Sequence, residues 1–154
     1  MGSEEIAEIE SAAMRYLARR DYSTGELRTK LRRKEFDAVA IDTVLDDFVE
    51  RGWIDDERFA EQQASILHRK EWGPFQVVKK LTKHGVPSDL ARGVVDDLGR
   101  SKGWERTCRA RLVSRFGDPS QLDQDEMASA YRHLTYRGFH PNLVRRLLFD
   151  GGVD

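Results

Sequence analysis

The sequence has few of the features that mark several large protein classes. Its single cysteine, Cys108, excludes an internal disulfide and a cysteine-rich zinc module, and fits a reducing compartment. No apolar run approaches the ~20 residues that a membrane-spanning helix needs. The chain begins with acidic residues and without the apolar segment typical of a signal peptide. We therefore expect a cytoplasmic protein with no membrane segment.

An excess of charge of one sign is also missing. Twenty-six Lys and Arg stand against 27 Asp and Glu, for a net charge of -1, so any basic surface must be local. No alternating apolar and polar run of strand length occurs, which predicts little or no sheet. No glycine-rich phosphate loop, nucleophile elbow or paired-carboxylate motif occurs either. We expect a protein that is not an enzyme and that uses no cofactor and no metal.

An apolar pattern is present in three copies along the chain. Residues 26–48 align with residues 76–98 without a gap, at an offset of 50, and a third copy follows 53 residues later. Gly151 fills the last slot of the third copy, where the first two have Phe48 and Leu98. Three equivalent slots are occupied by Leu27, Leu31 and Phe36, then by Val77, Leu81 and Val86, and then by Ala130, Leu134 and Phe139.

The spacing within each copy predicts helices. Apolar residues recur at helical intervals on both sides of a break, where Gly85 and Gly138 suit left-handed helix ends. A third apolar-periodic stretch precedes each pair. We therefore predict an all-α fold of about three tandem three-helix bundles, stacked into an elongated, curved array. Their predicted bounds are residues 4–52, 53–99 and 103–150.

The stretch "GWIDDERFAE", residues 52–61, raises the question of catalysis. Asp55, Asp56 and Glu57 follow a Gly-Trp turn and precede the apolar Phe59. Acidic residues at this place satisfy unpaired N–H groups and favour the positive end of a helix. A metal or acid–base site would need a nearby histidine, and none is in local range. We interpret these four residues as a structural junction between the first and second units.

The other reactive residue types show no catalytic spacing. His68, His84, His133 and His140 have no metal-protease arrangement and are expected on the surface. His84 and His133 lie near basic helices, where an additional phosphate or partner contact is an alternative. Cys108 lies on the apolar stripe of its helix and is expected to be a core residue rather than a nucleophile.

Charge is segregated within the repeats. The middle helix of each of the first two copies is basic, and the helix that follows it is acidic. Stacking would set the basic slots in a row, as a stripe suited to a long polyanion or an acidic protein groove. The alternative is a solvated face whose cations pair with neighbouring acids. The candidate binding residues are Arg28, Lys30, Arg32, Arg33, Lys34, Lys79, Lys80 and Lys83.

Two aromatic residues, Tyr22 and Trp72, occupy equivalent positions at the entry to the middle helices of the first two copies. Exposed rings at such positions could stack on bases. Rings matched by position at a turn are more often core or staple residues, and this is the interpretation we favour.

Three stretches of the chain carry a recognisable pattern: "YLARRDYSTGELRTKLRRKEF" (16–36), "VLDDFVERGWIDDERFAE" (44–61) and "RKEWGPFQVVKKLTKHGV" (69–86). This pattern resembles the RecX recombination regulators, and the later "RHLTYRGFHPNLVRRLL" is similar to that family's weaker C-terminal copy. The resemblance implies a small bacterial protein that binds the RecA nucleoprotein filament and restrains RecA's ATPase, strand-exchange and coprotease activities. It thereby implies a role in recombination, DNA repair and the SOS response. Glu35 stands where the family usually has glycine, so we expect a differently capped helix there.

The resemblance leaves the partners of the basic residues open. They are candidates for contact with RecA, or with single- or double-stranded DNA through the filament or weakly by direct binding. We expect a monomer. An alternative is a DNA- or RNA-binding helical repeat protein that does not act through RecA. A helical scaffold for another protein is a third interpretation.

Overall fold

The protein is helical throughout the part of the chain that the structure describes. The computed structural model describes residues 2–149, and in these residues there are nine α-helices, one 3₁₀ turn and no strand. The all-α prediction is confirmed. The predicted last residue of the third unit, residue 150, and the Gly151 slot lie outside the described residues. The helices are α1 (Ser3–Arg19), α2 (Thr24–Arg33), α3 (Ala38–Glu50), α4 (Asp56–Arg69), α5 (Pro74–Lys83), α6 (Ser88–Lys102), α7 (Glu105–Phe116), α8 (Gln124–Tyr136) and α9 (Pro141–Phe149), with the 3₁₀ turn at Pro119–Gln121.

The helices pack in three consecutive groups. Helices α1–α3, α4–α6 and α7–α9 each enclose an apolar cluster, and we call them the first, second and third groups. Trp104 packs against both the second and the third cluster. Most residues at the repeated apolar slots are buried, for example Leu27, Leu81 and Leu134 at 0% exposure, whereas Phe36 is half-buried. Burial of such slots is the main stabilising contribution in each group.

The predicted bounds of the three units stay a prediction, but two residues near the first bound are informative. Ile54 is 2% exposed and lies in the first cluster. The ring of Trp53 packs edge-on against Phe48, with centroids 5.0 Å apart. The connector after α3 therefore contributes to the core of the first group before the chain enters α4.

The middle helices of the groups begin with different caps. In α2, the Ser23 hydroxyl accepts from the Glu26 N–H while the Glu26 carboxylate accepts from the Ser23 N–H, which is a capping box. In α5, Pro74 occupies the first turn after Gly73, where the missing N–H costs nothing. In α8, Asp123 forms a second capping box.

The turns between the second and third helices of each group share a left-handed residue. The φ angles are 66° at Glu35, 89° at Gly85 and 100° at Gly138. The helix end at Glu35 shares one capping bond with the others, since the Glu35 N–H donates to the Arg32 carbonyl as the Gly85 N–H donates to that of Thr82. It differs in the next bond, as expected from the missing glycine: the Val86 and Phe139 N–H groups donate to the Leu81 and Leu134 carbonyls, and among the described residues Phe36 has no equivalent bond to Leu31. A left-handed glutamate is strained relative to glycine but sterically possible where no neighbouring backbone approaches.

Candidate functional site

The predicted basic residues of α2 point in different directions. Arg28 turns toward α3, where its Nε lies 3.0 Å from Asp42 Oδ1. Lys34 turns toward α1, with its Nζ 5.9 Å from the centre of the Tyr16 ring. Arg32 is exposed. Lys30 and Arg33 line one cleft, although Lys30 Nζ also lies 5.6 Å from the centre of the Tyr16 ring. These orientations divide a set of residues that the sequence alone presents as one group.

The basic cleft lies between the first and second groups. Lys30 and Arg33 of α2 face Lys83 and His84, which end α5. The cleft has a volume of about 170 Å³ and is open to solvent. Of the candidate residues, Lys30, Arg33 and Lys83 are therefore brought together, although they are far apart in sequence. The lining residues are Gly25, Glu26, Thr29, Lys30, Arg33, Lys83, His84 and Gly85.

The one carboxylate that lines the basic cleft, Glu26, is already engaged. Its Oε1 lies 3.2 Å from Arg20 Nη1, and its Oε2 lies 3.4 Å from His84 Nδ1. It also accepts from the Ser23 N–H. The charges of Lys30 and Arg33 are thus not neutralised by this acid, and the cleft keeps a positive character.

The acids of α6 likewise do not neutralise the lysines of α5. Asp89 pairs with Arg92 at 2.6 Å, and Asp97 pairs with Arg100, both within α6. Among residues 2–149, the contact between Arg28 and Asp42 is the only ion pair that joins a candidate basic residue to the acidic helix beside it. Exposed pairs of this kind contribute little stability, about 0–1 kcal/mol.

The floor of the basic cleft is a close contact between two backbones. The Ser23 hydroxyl donates to the His84 carbonyl at 2.6 Å. A Cβ on Gly25 would lie 2.6 Å from the Gly85 carbonyl oxygen, and a Cβ on Gly85 would lie 2.8 Å from the Glu26 nitrogen. No real Cβ fits at such distances, so this contact requires glycine. We call it the first junction.

An equivalent contact, the second junction, joins the second and third groups. The Gly73 N–H donates to the Arg137 carbonyl at 2.7 Å, and the Phe75 N–H donates to that of Gly138 at 3.1 Å. A Cβ on Gly138 would lie 2.5 Å from the Gln76 nitrogen. The repeat offsets pair Gly138 with Gly85 and Gln76 with Glu26. Both junctions therefore use the same slots of the repeat.

The rings at the entries to α2 and α5 are packed, as predicted. Tyr22 is 7% exposed and lies under the Arg20 guanidinium, whose Cζ is 3.6 Å from the ring centre. Trp72 is half-buried between Lys80 Nζ at 4.0 Å and Arg137 Cζ at 3.7 Å. The core and staple interpretation of these two rings is confirmed. Lys80 is consequently held against Trp72 rather than extended into solvent.

The acidic triplet links the first two groups. Asp55 is the N-cap of α4, and its carboxylate accepts from the Arg58 N–H at 3.1 Å. Asp56 reaches back to the first group and accepts from the Thr24 N–H at 2.7 Å. Phe59 is 3% exposed in the second cluster. The contact of Asp56 was not predicted, because nothing in the local pattern indicates a partner 32 residues away.

Two histidines are less exposed than predicted. His68 is half-buried, packs edge-on against Trp104 and contacts the Thr107 hydroxyl at 2.9 Å. His133, also half-buried, accepts from Arg111 Nε at 3.0 Å. Burial, together with the charges of nearby arginines, lowers the pKa of His133 to about 4, so the ring is neutral. The expectation of surface positions is therefore wrong for these two residues, because each imidazole ring packs against residues of another helix.

Cys108 is fully buried in the third cluster, as predicted. Desolvation raises the pKa of its thiol to about 12, which leaves no thiolate for chemistry at neutral pH. Within residues 2–149, no cluster of three His, Cys, Asp or Glu side chains could hold a metal ion. Over the same range, no helix is both long and apolar enough to cross a membrane.

Comparisons with known proteins agree with this repeated architecture. Residues 11–48 match the RecX first three-helix domain, and residues 55–95 match the RecX second three-helix domain. The chain is 30% identical to the regulatory protein RecX of Pseudomonas tolaasii, over 97% of this chain and 95% of that protein. It is 34% identical to the regulatory protein RecX of Leptothrix cholodnii, over 91% of this chain and 87% of that protein.

The fold is also that of a solved structure. The crystal structure of RecX from Lactobacillus salivarius matches with a TM-score of 0.83 at 17% identity, covering 99% of this chain and 100% of that one. With two matched three-helix domains and relatives that align over nearly its whole length, the chain belongs to the RecX family of regulatory proteins.

Proposed function

We propose that this protein regulates RecA without being an enzyme: it binds the RecA nucleoprotein filament and lowers RecA's ATPase, strand-exchange and coprotease output. Family membership supports a regulatory role. The observation that carries the proposal is the basic cleft, in which cations from two helix groups face one opening and the single acid is paired with Arg20 and His84. A nucleoprotein filament is a long polyanion, and a local basic surface attracts it even when the protein's net charge is near zero.

The binding surface is proposed to consist mainly of Lys30, Arg33 and Lys83. Arg28 contributes less because it is paired with Asp42, and Lys80 contributes less because it is held against Trp72. Arg32, Lys34 and Lys79 are exposed and lie outside the cleft lining. These three residues would therefore lie at the rim of the interface, where cations affect the association rate and its salt dependence more than the lifetime of the complex.

The test is RecA's ATPase on single-stranded DNA, measured with increasing amounts of the protein. The wild type is expected to inhibit at substoichiometric to stoichiometric ratios. The triple variant Lys30→Gln, Arg33→Gln and Lys83→Gln is expected to need about tenfold more protein for half inhibition, if each exposed charge contributes about 0.5 kcal/mol.

The matched control removes the same number of positive charges from another helix. The variant Arg92→Gln, Arg100→Gln and Lys102→Gln removes three exposed cations from α6 and is expected to inhibit like the wild type. If folded wild-type protein leaves the ATPase unchanged, the proposed function is refuted. If the two triple variants lose inhibition equally, the cleft is not the binding surface.

A further inference from the structure

Two aromatic rings lie on the surface at the second junction. Phe75 is 57% exposed and Tyr136 is 68% exposed. The Phe75 ring is tilted against the His140 ring, with centroids 5.9 Å apart, and Gln76 Nε2 donates to the Tyr136 carbonyl at 2.9 Å. The two exposed rings therefore come from different helix groups and flank one junction, where Gln76, next to Phe75, bonds to the Tyr136 backbone. Exposed apolar side chains that cluster mark a binding surface more often than single ones do.

The rings are specific to this junction. The repeat offsets pair Phe75 with Gly25, and Tyr136 with Lys83. At the first junction, the same slots thus form part of the open basic cleft. A neutral His133 also stands in the slot of Lys30 and Lys80. The surface therefore changes from cationic to aromatic between the two junctions while the backbone arrangement is repeated.

A row of exposed side chains on α5 connects the exposed rings at the second junction to the basic cleft. Phe75, Lys79 and Lys83 are four residues apart and all exposed, so they form one stripe about 12 Å long. Lys83 then lines the basic cleft with Lys30 and Arg33. We call this continuous surface the aromatic–basic strip. It consists of Tyr136, Phe75, Lys79, Lys83, Lys30 and Arg33.

We propose that the aromatic–basic strip binds single-stranded nucleic acid directly, with an unpaired base against Phe75 and Tyr136 and with phosphates along Lys79, Lys83, Lys30 and Arg33. The occupant must carry closely spaced negative charges and also present flat, unpaired rings, and a single strand has both. Lys79, Lys83, Lys30 and Arg33 supply four cations that the backbone phosphates of one strand can contact. A duplex has the same charge but keeps its base faces stacked. This binding goes beyond RecA regulation because it requires no RecA.

The test is binding of fluorescently labelled oligothymidine and of a DNA duplex of equal length by fluorescence anisotropy, without RecA and at low salt. Phe75→Leu and Tyr136→Leu remove the rings and keep apolar volume. Each is expected to weaken single-strand binding about tenfold, within the range for loss of one base–aromatic stack, and to leave duplex binding unchanged. Lys79→Gln with Lys83→Gln is expected to reduce the salt slope of single-strand binding by about 1.4, at about 0.7 per phosphate contact.

Phe149→Leu is the matched control for loss of an exposed ring. Phe149 is 57% exposed at the other end of α9 from His140, about 13 Å away along the helix. It is expected to bind both probes like the wild type, and circular dichroism verifies that each variant is folded.

Three outcomes would overturn the proposal: no wild-type binding to oligothymidine at low salt, equal losses for single strand and duplex in Phe75→Leu, or weaker binding to RecA filaments in Phe75→Leu with unchanged binding to naked oligothymidine. The last outcome would mean that the rings contact protein. None of these outcomes refutes the proposed inhibition of RecA, which the ATPase measurement tests separately.

Discussion

Substitution of Gly138 by alanine tests whether backbone contact at the second junction holds the second and third groups together. The added Cβ would lie 2.5 Å from the Gln76 nitrogen and 2.8 Å from Gln76 Cβ. It has no room unless the two groups move apart. That movement lengthens the bond from the Phe75 N–H to the Gly138 carbonyl and the bond from the Gly73 N–H to the Arg137 carbonyl.

The magnitude follows from two contributions. A φ of 100° in the left-handed region costs an alanine about 1–2 kcal/mol relative to glycine. Loss of the two junction hydrogen bonds costs about 1 kcal/mol each. We therefore expect Gly138→Ala to lower the free energy of unfolding by about 3–4 kcal/mol, and the free energy of opening this junction by the ~2 kcal/mol that the two hydrogen bonds contribute. Gly85→Ala is expected to have a similar effect at the first junction, where the Cβ would meet the Glu26 nitrogen at 2.8 Å.

The assay is native-state hydrogen exchange at the Gly73 and Phe75 amides, supported by urea unfolding followed by circular dichroism. The left-handed contribution is measured separately by comparing Glu35→Ala with Glu35→Gly, because Glu35 has a φ of 66° and an exposed side chain. The reasoning is refuted if the loss of unfolding free energy in Gly138→Ala is no larger than the difference in unfolding free energy between Glu35→Ala and Glu35→Gly. In that case the cost would be backbone strain alone, without a contact between the groups.

Two further predictions concern side chains at other contacts. Asp56→Ala is expected to cost about 1–2 kcal/mol in urea unfolding because it removes the acceptor of the Thr24 N–H, whereas Glu57→Ala is expected to cost less than about 0.5 kcal/mol; equal costs would argue against the bridging role of Asp56. His133 has a folded pKa of about 4, below the ~6.5 of an unfolded chain, so the unfolded state binds more protons between these values and stability falls as the pH drops through that window. His133→Gln is expected to remove about 1–2 kcal/mol of that loss, allowing for solvent at a half-buried site, and an unchanged difference between pH 7 and pH 4.5 would contradict this.

The helices and the cores were predictable because their signals are local. Apolar residues at a helical period identify the buried face of a helix, and the same pattern occurs in three copies of the repeat. Leu31, Leu81 and Leu134 occupy one slot of the pattern and are all 0% exposed. The N-cap at Asp55 is similarly local, since a capping side chain reaches only the next turn.

The contacts between the groups were not predictable from period or propensity, because they join residues that no local rule relates. The bond from Ser23 to the His84 carbonyl spans 61 residues. One signal was nevertheless present in the sequence. Gly85 and Gly138 were interpreted as helix ends, yet Glu35 adopts the same left-handed conformation with a side chain. Glycine at the two later turns therefore reports the approach of a neighbouring backbone rather than the turn itself.

The chemistry of the candidate site depends on which equivalent residues are engaged elsewhere. Arg28 and Lys80 are cations of the repeat pattern, but Arg28 is paired with Asp42 and Lys80 is held against the Trp72 ring. In the third group, Tyr136 occupies the slot that holds a cation in the other two. A uniform basic stripe would let a polyanion slide in either direction, because charge alone sets no register. A strip that is cationic at one end and aromatic at the other adds base stacking at one end, which would hold a bound strand at a defined place along the protein.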